Sequence, residues 1–111
     1  MNTRSKGKVG EQVAREFYEG RGFKVCNPSE TRFSENLAFG DLYYWNESEL
    51  GFCEVKATKE QSFSLKEYAL KVEELGLPVR TITLEFIWVR RGKVHKRWYY
   101  SARAKEFLHI G

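Results

Sequence analysis

Three carboxylates and one lysine carry the spacing that could do chemistry. Asp41, the only Asp in the chain, opens the strand of one β-rich run, Glu54-Val55-Lys56 lies inside the next one, and Glu11 sits upstream in a helical segment. Hydrolysing a phosphodiester needs a water made nucleophilic near neutral pH and charge neutralisation on the non-bridging oxygens and the leaving alkoxide. A hard cation held between two carboxylates supplies much of both. Asp41 and Glu54, brought side by side by strand pairing, can give Mg²⁺ oxygen ligands; the Val55 backbone carbonyl could add one and water the rest. Lys56, one pleat along, then sits beside the metal and can orient or help deprotonate the water, or hold the scissile phosphate as a point charge. The tripeptide E-x-K alone carries almost no information, since 14 Glu and 10 Lys in 111 residues give about one by chance, and the chain contains one. Its context carries the signal. Taken singly, Asp41 reads as a turn residue and Glu54 with Lys56 as a solvated same-face pair; taken together they read as a catalytic group.

Those side chains must be positioned by an α/β framework. From Ser5 to Gly20, Val9, Val13 and Phe17 recur at helical spacing, with Ala14 and Tyr18 widening the stripe. Glu11 falls at the border of that stripe, where it can reach over the edge of a sheet. Phe23 to Cys26 reads as a short strand, and Asn27 to Asn36 as a long polar loop. Leu37 to Trp45 and Gly51 to Thr58 form a hairpin in outline. In its second arm the period of two places Phe52, Glu54, Lys56 and Thr58 on one face, and Cys53, Val55 and Ala57 on the other. Ser64 with Glu67 makes a capping box before a helix that Gly76 and Pro78 end. Val79 to Arg90 and Val94 to Tyr100 are strands joined at Arg91-Gly92-Lys93, and Ser101 is expected to cap a short last helix through Leu108. The expected order is α-β-β-β-α-β-β-α: a central mixed five-stranded sheet flanked by helices, one domain over residues 1–111.

Composition narrows the partners. The net charge of +4 divides into about +3 over residues 1–24, −5 over 25–79 and +6 over 80–111. Basic ends around an acidic middle suit a polyanion that also needs a cation; a solvated charged surface is the plain alternative. Arg4, Lys6, Lys8, Lys59, Arg90, Arg91 and Lys93 are the candidate phosphate contacts. Lys96 and Arg97, interleaved with Trp88, Trp98, Tyr99 and Tyr100, extend the last group. Cys26 and Cys53 lack zinc or disulfide spacing and read as reduced core residues. His95 reads as a strand-surface residue and His109 as tail. No run approaches the ~20 apolar residues of a membrane span, nor does the N-terminus read as a secretory signal, so a cytoplasmic protein without membrane contact is expected.

Through Lys6-Gly7-Lys8, Glu11, Gly22-Phe23-Lys24-Val25, Gly40-Asp41, Glu54-Val55-Lys56 and Ser64-Leu65, residues 5 to 75 resemble the PD-(D/E)xK nuclease superfamily, and within it the small archaeal Holliday junction resolvases. The resemblance implies a restriction-endonuclease-like fold and a homodimeric endodeoxyribonuclease that nicks paired strands of a four-way DNA junction. It would use Mg²⁺, with Mn²⁺ as a substitute, and no small-molecule cofactor. It would work in the cytoplasm of an archaeal cell, or of a host if virus-encoded. By the resemblance, Glu11, Asp41, Glu54 and Lys56 form the active centre. Glu11 either meets the metal through water or only offsets the charge of Arg4, Lys6 and Lys8. Polar residues of the loop after the first strand (Ser29, Arg32 and Ser34) approach DNA. Two features depart from the family: Gly40 stands where the family has Pro, and the loop NPSETRFSEN is not Gly/Ser-rich. A nuclease of the same fold acting on nicks or ends, and a nucleic-acid-binding module without catalysis, are the alternative readings.

Overall fold

The computed structural model describes residues 3–27 and 40–110, and for residues 3–7 the course of the helix alone. Its elements run α1 (Thr3–Glu19), β1 (Lys24–Cys26), β2 (Leu42–Trp45), β3 (Leu50–Ala57), α2 (Leu65–Leu75), β4 (Thr83–Arg90), β5 (Lys93–Ser101) and β6 (Glu106–Ile110). The strands form one mixed six-stranded sheet in sequential order. β3 and β4 are parallel, joined through α2, and the other neighbours are antiparallel. α1 covers one face of the sheet and α2 the other, so the core lies in two layers. No helix among the described residues is long and apolar enough to cross a membrane.

Local chemistry accounts for the elements. Asn46 turns the chain between β2 and β3, its Oδ1 accepting the N–H groups of Ser48 and Glu49, both at 2.8 Å. Ser64 caps α2 by accepting the Glu67 N–H, and Gly76 closes it in the left-handed conformation. Between β4 and β5, Arg91 and Gly92 both take positive φ, 54° and 72°, as a two-residue hairpin turn of type I′ requires.

The alternation expected for β3 is present. Cys53, Val55 and Ala57 pack in the α1 layer, and Phe52 packs in the α2 layer. Three expectations change. The last segment is a strand: Ser101 does open a turn, its Oγ accepting the Ala104 N–H at 3.0 Å, but Lys105 takes φ 56° and the chain reverses along β5 as β6. The sheet therefore has six strands rather than five, and His109 lies on β6 beside Trp98 rather than in a tail. Third, Val9 is 48% exposed and leaves the stripe, while Ala14 and Tyr18 are buried as expected with Gly10 in line, and Val13 and Phe17 pack half-buried beside them. Small side chains at 10 and 14 let the helix backbone settle onto β3, where a Cβ on Gly10 would come within 2.7 Å of the Ala57 Cβ. A larger side chain at position 10 would hold the helix away from β3.

Tyr44 anchors the α1 layer. Its ring is fully buried, stacks on Tyr18 at 4.0 Å between centroids and lies across its sheet neighbour Gly51. A methyl group at position 51 would fall inside the Tyr44 ring. Gly51→Ala is accordingly expected to destabilise the fold by about 1–3 kcal/mol, the usual cost of overpacking, measured as a lower urea midpoint; an unchanged midpoint would contradict this packing.

Candidate active site

The site forms at the first residue of β2, beyond which β3 continues without it. Leu42 pairs with Cys53, so the stretch from Glu54 to Ala57 has β4 on one side and lies past the end of β2 on the other. Asp41 stands in this notch. Its backbone N–H donates to the Cys53 carbonyl at 2.8 Å, and its Oδ2 accepts the Val55 N–H at 2.7 Å, a carboxylate standing in for the missing ladder partner. Since a strand residue turns its N–H and C=O to the same side, the Val55 carbonyl is directed into the same notch.

Glu54 is fixed reciprocally: its Oε1 accepts the Gly40 N–H at 2.9 Å. Gly40 has φ 103°, a conformation closed to proline, and it donates an N–H that proline lacks. The departure at position 40 is therefore structural, since this chain uses the glycine to orient one of its two central carboxylates.

The two carboxyl groups are near enough for each to influence the other's ionisation. Burial pushes the Asp41 carboxyl above the ordinary range, against the Val55 N–H, the Lys56 charge and the Glu54 side chain, which pull it down. Burial, then the Asp41 charge, push Glu54 up to about 7, against the Gly40 N–H and the ammonium groups of Lys56 and Lys71. Two like charges held together out of water resist ionising together, so the pair takes up positive charge, as a proton or as a cation. Lys56 Nζ stands 3.8 Å from Glu54 Oε2. Burial lowers its affinity for a proton, but the Tyr68 hydroxyl and the two carboxylates outweigh that and raise it. Lys56 is thus an ammonium at neutral pH, suited to holding a phosphate or aiming a water, and poorly suited to accepting a proton.

Among the described residues no three His, Cys, Asp or Glu side chains gather closely enough to hold a metal by themselves. A cation at the notch would rest on Asp41, Glu54, the Val55 carbonyl and water. That donor set is all hard oxygen and fits Mg²⁺ or Mn²⁺.

The remaining predicted residues are distributed unevenly. Glu11 is half-buried on α1, and its Oε2 accepts from Asn27 Nδ2 at 2.9 Å, at the end of β1; the structure does not place it in one ligand group with Asp41 and Glu54. Lys8 and Lys59 are exposed, as are Arg91 and Lys93 at the β4–β5 turn, while Arg90 is half-buried. Arg4 and Lys6 belong to the first turns of α1, where side chains are not described; Ser29, Arg32 and Ser34 lie outside the described residues. Arg97, grouped by sequence with the nucleic-acid surface, instead points inward: its guanidinium donates to Glu85 Oε1 at 2.6 Å and lies 4.5 Å from the Phe17 ring. Both cysteines are free thiols, Cys53 buried and Cys26 half-buried.

Sequence reasoning missed Tyr68 and Lys71. The Tyr68 ring carries Lys56 Nζ and Lys71 Nζ, each 5.5 Å from its centroid. The signal was present in two periods: Tyr68 and Lys71 are i,i+3 neighbours on α2, and strand alternation turns Lys56 toward the face that α2 covers.

No family model matches the chain, and neither a curated protein nor a solved structure matches it.

Proposed function

We propose that this protein is a metal-dependent endodeoxyribonuclease of the restriction-endonuclease-like, PD-(D/E)xK type, acting on four-way DNA junctions as a homodimer. The observation that carries the reading is the reciprocal locking of Asp41 by the Val55 N–H and of Glu54 by the Gly40 N–H, with Lys56 3.8 Å from Glu54. A pair of charged side chains on a solvated surface needs no such orientation. A module that merely binds nucleic acid gains nothing from two like charges held close to one another against a polyanion.

Asp41 and Glu54, with the Val55 carbonyl, would hold the cation, which when bound supplies charge neutralisation and acidifies water. The Val55 and Gly40 N–H groups keep the two carboxyl planes fixed, so neither need reorganise during the reaction. Lys56 holds a non-bridging oxygen of the scissile phosphate or orients the attacking water by donating a hydrogen bond to it. Glu11, held by Asn27 just past the end of β1, would meet the cation through water or offset the charge of the basic start of α1. The exposed basic turn of Arg91 and Lys93 supports contact with DNA backbone. A junction with twofold symmetry calls for two such sites, hence two copies.

Labelled four-way junction and matched linear duplex, incubated side by side with Mg²⁺, test the substrate. Symmetric paired nicks on the junction alone are expected. Equal cutting of the duplex would keep the chemistry and overturn the junction preference in favour of a nuclease of the same fold with another substrate.

A further inference from the structure

Lys56 and Lys71 come from different elements, β3 and α2, yet both ammonium groups stand against one ring, that of Tyr68. Each lies within the ~6 Å at which a cation is attracted to an aromatic face, so the two are at most twice 5.5 Å apart. Like charges this close repel. The arrangement gathers two cations from different elements at one place, as binding a chain of phosphates requires. Beside them a cavity of about 680 Å³ opens, lined by Lys56, Thr58, Ser62, Ser64, Glu67 and Tyr68 among others. Its hydroxyl groups are of the kind that contact sugar and phosphate oxygens. Glu67 adds one negative charge to the same lining.

We propose that Tyr68 and Lys71, on the side of α2 turned toward β3, form a phosphate-binding subsite next to the Asp41 and Glu54 pair, taking the backbone phosphate that neighbours the one at Lys56. This rests on the nucleic-acid substrate proposed above and adds the residues that set the strand's register. Lys71 supplies the charge; Tyr68 is a positioning residue that holds both ammonium groups through its ring.

Binding of a fluorescein-labelled four-way junction, measured by anisotropy in EDTA over a range of salt, tests it without turnover. Each phosphate contact contributes about 0.9 to the slope of log affinity against log salt. Lys71→Gln should therefore lower the slope by about that amount and weaken binding several-fold at low salt. The control is Lys66→Gln, which removes the same charge from the opposite side of α2, where Lys66 lines a cavity with Lys105 and Phe107; its slope should match wild type. Tyr68→Leu should reproduce the Lys71→Gln slope, and Tyr68→Phe should restore it, a rescue that loss of folding alone would not give. Equal slopes for Lys71→Gln and Lys66→Gln, or no junction binding by the wild type, would overturn the subsite. Because EDTA abolishes any metal-dependent cleavage, the slope stays readable even if the wild type proves unable to cut DNA in Mg²⁺, so the subsite and the nuclease reading fail separately.

Discussion

Glu54→Gln is expected to abolish DNA cleavage and, at the same time, to stabilise the metal-free protein at pH 8. The amide keeps an oxygen for the Gly40 N–H, which now meets Glu54 Oε1 at 2.9 Å, and its NH₂ group can donate to Asp41 where two carboxyl groups now compete. The direction in pH follows from linkage. The Glu54 carboxyl holds its proton up to about pH 7 in the folded chain, against an ordinary value of 4.5. Below pH 4.5 both states are protonated and the carboxyl costs nothing. Between there and pH 7 the unfolded chain ionises first, so stability falls as pH rises, by about 3 kcal/mol in all, and levels off above. The Gln variant should lack that fall, leaving its Tm several degrees above wild type at pH 8 in chelator. Mg²⁺ should narrow the difference by stabilising only the wild type. Thermal melts from pH 4 to 8, with and without Mg²⁺, and a cleavage assay check both halves. A Gln variant that is less stable than wild type at pH 8, or that still cuts, would show that Glu54 is not a strained ligand.

Arg97→Ala should be the most damaging change on the basic surface, and for a structural reason. The Arg97 and Glu85 side chains are 14% and 10% exposed, their ion pair is 2.6 Å long, and Tyr44 donates its hydroxyl to the other Glu85 oxygen at 2.9 Å. Removing the guanidinium leaves a carboxylate buried against Tyr44 with its charge uncompensated, at a cost of about 3–5 kcal/mol. It also strips a cation from the Phe17 ring. Replacing the whole group, by Arg97→Met, Glu85→Leu and Tyr44→Phe together, removes every polar atom that would be orphaned and should recover most of the loss. Urea unfolding of the two proteins measures this. A simple phosphate contact would give the opposite result, weaker DNA binding with an unchanged unfolding midpoint.

The sequence placed the centre of the site better than its surroundings. Asp41, Glu54 and Lys56 were legible because strand alternation is a strict period of two, and because a hairpin brings its two arms together wherever the register lies. The faces of β3 follow from the same period, as do the caps of α2 at Ser64 and Gly76. On α1, Ala14, Tyr18, Val13 and Phe17 were legible as the core side; the exposure of Val9 and the burial of Gly10 were not, because the value of a glycine lies in close approach, here to Ala57, and gives no apolar signal. The last element was misread for a related reason: Ser101 caps a turn as its residue type suggests, and only the left-handed Lys105, together with pairing to β5, turns that beginning into a strand. Arg97 and Tyr68 escaped because each acts through a partner distant in sequence, Glu85 for one and Lys56 for the other. Gly40 looked like a gap in a family pattern until its N–H was seen to hold Glu54.

The most direct test of the central claim is whether the purified chain hydrolyses a labelled four-way junction in Mg²⁺, with Asp41→Asn protein and an EDTA arm run beside it. The account predicts nicked product from the wild type in Mg²⁺ or Mn²⁺, none in EDTA, and none from Asp41→Asn, which still folds and still binds the junction. Intact DNA bound to the wild type in both metals, or nicking that survives Asp41→Asn, would contradict it.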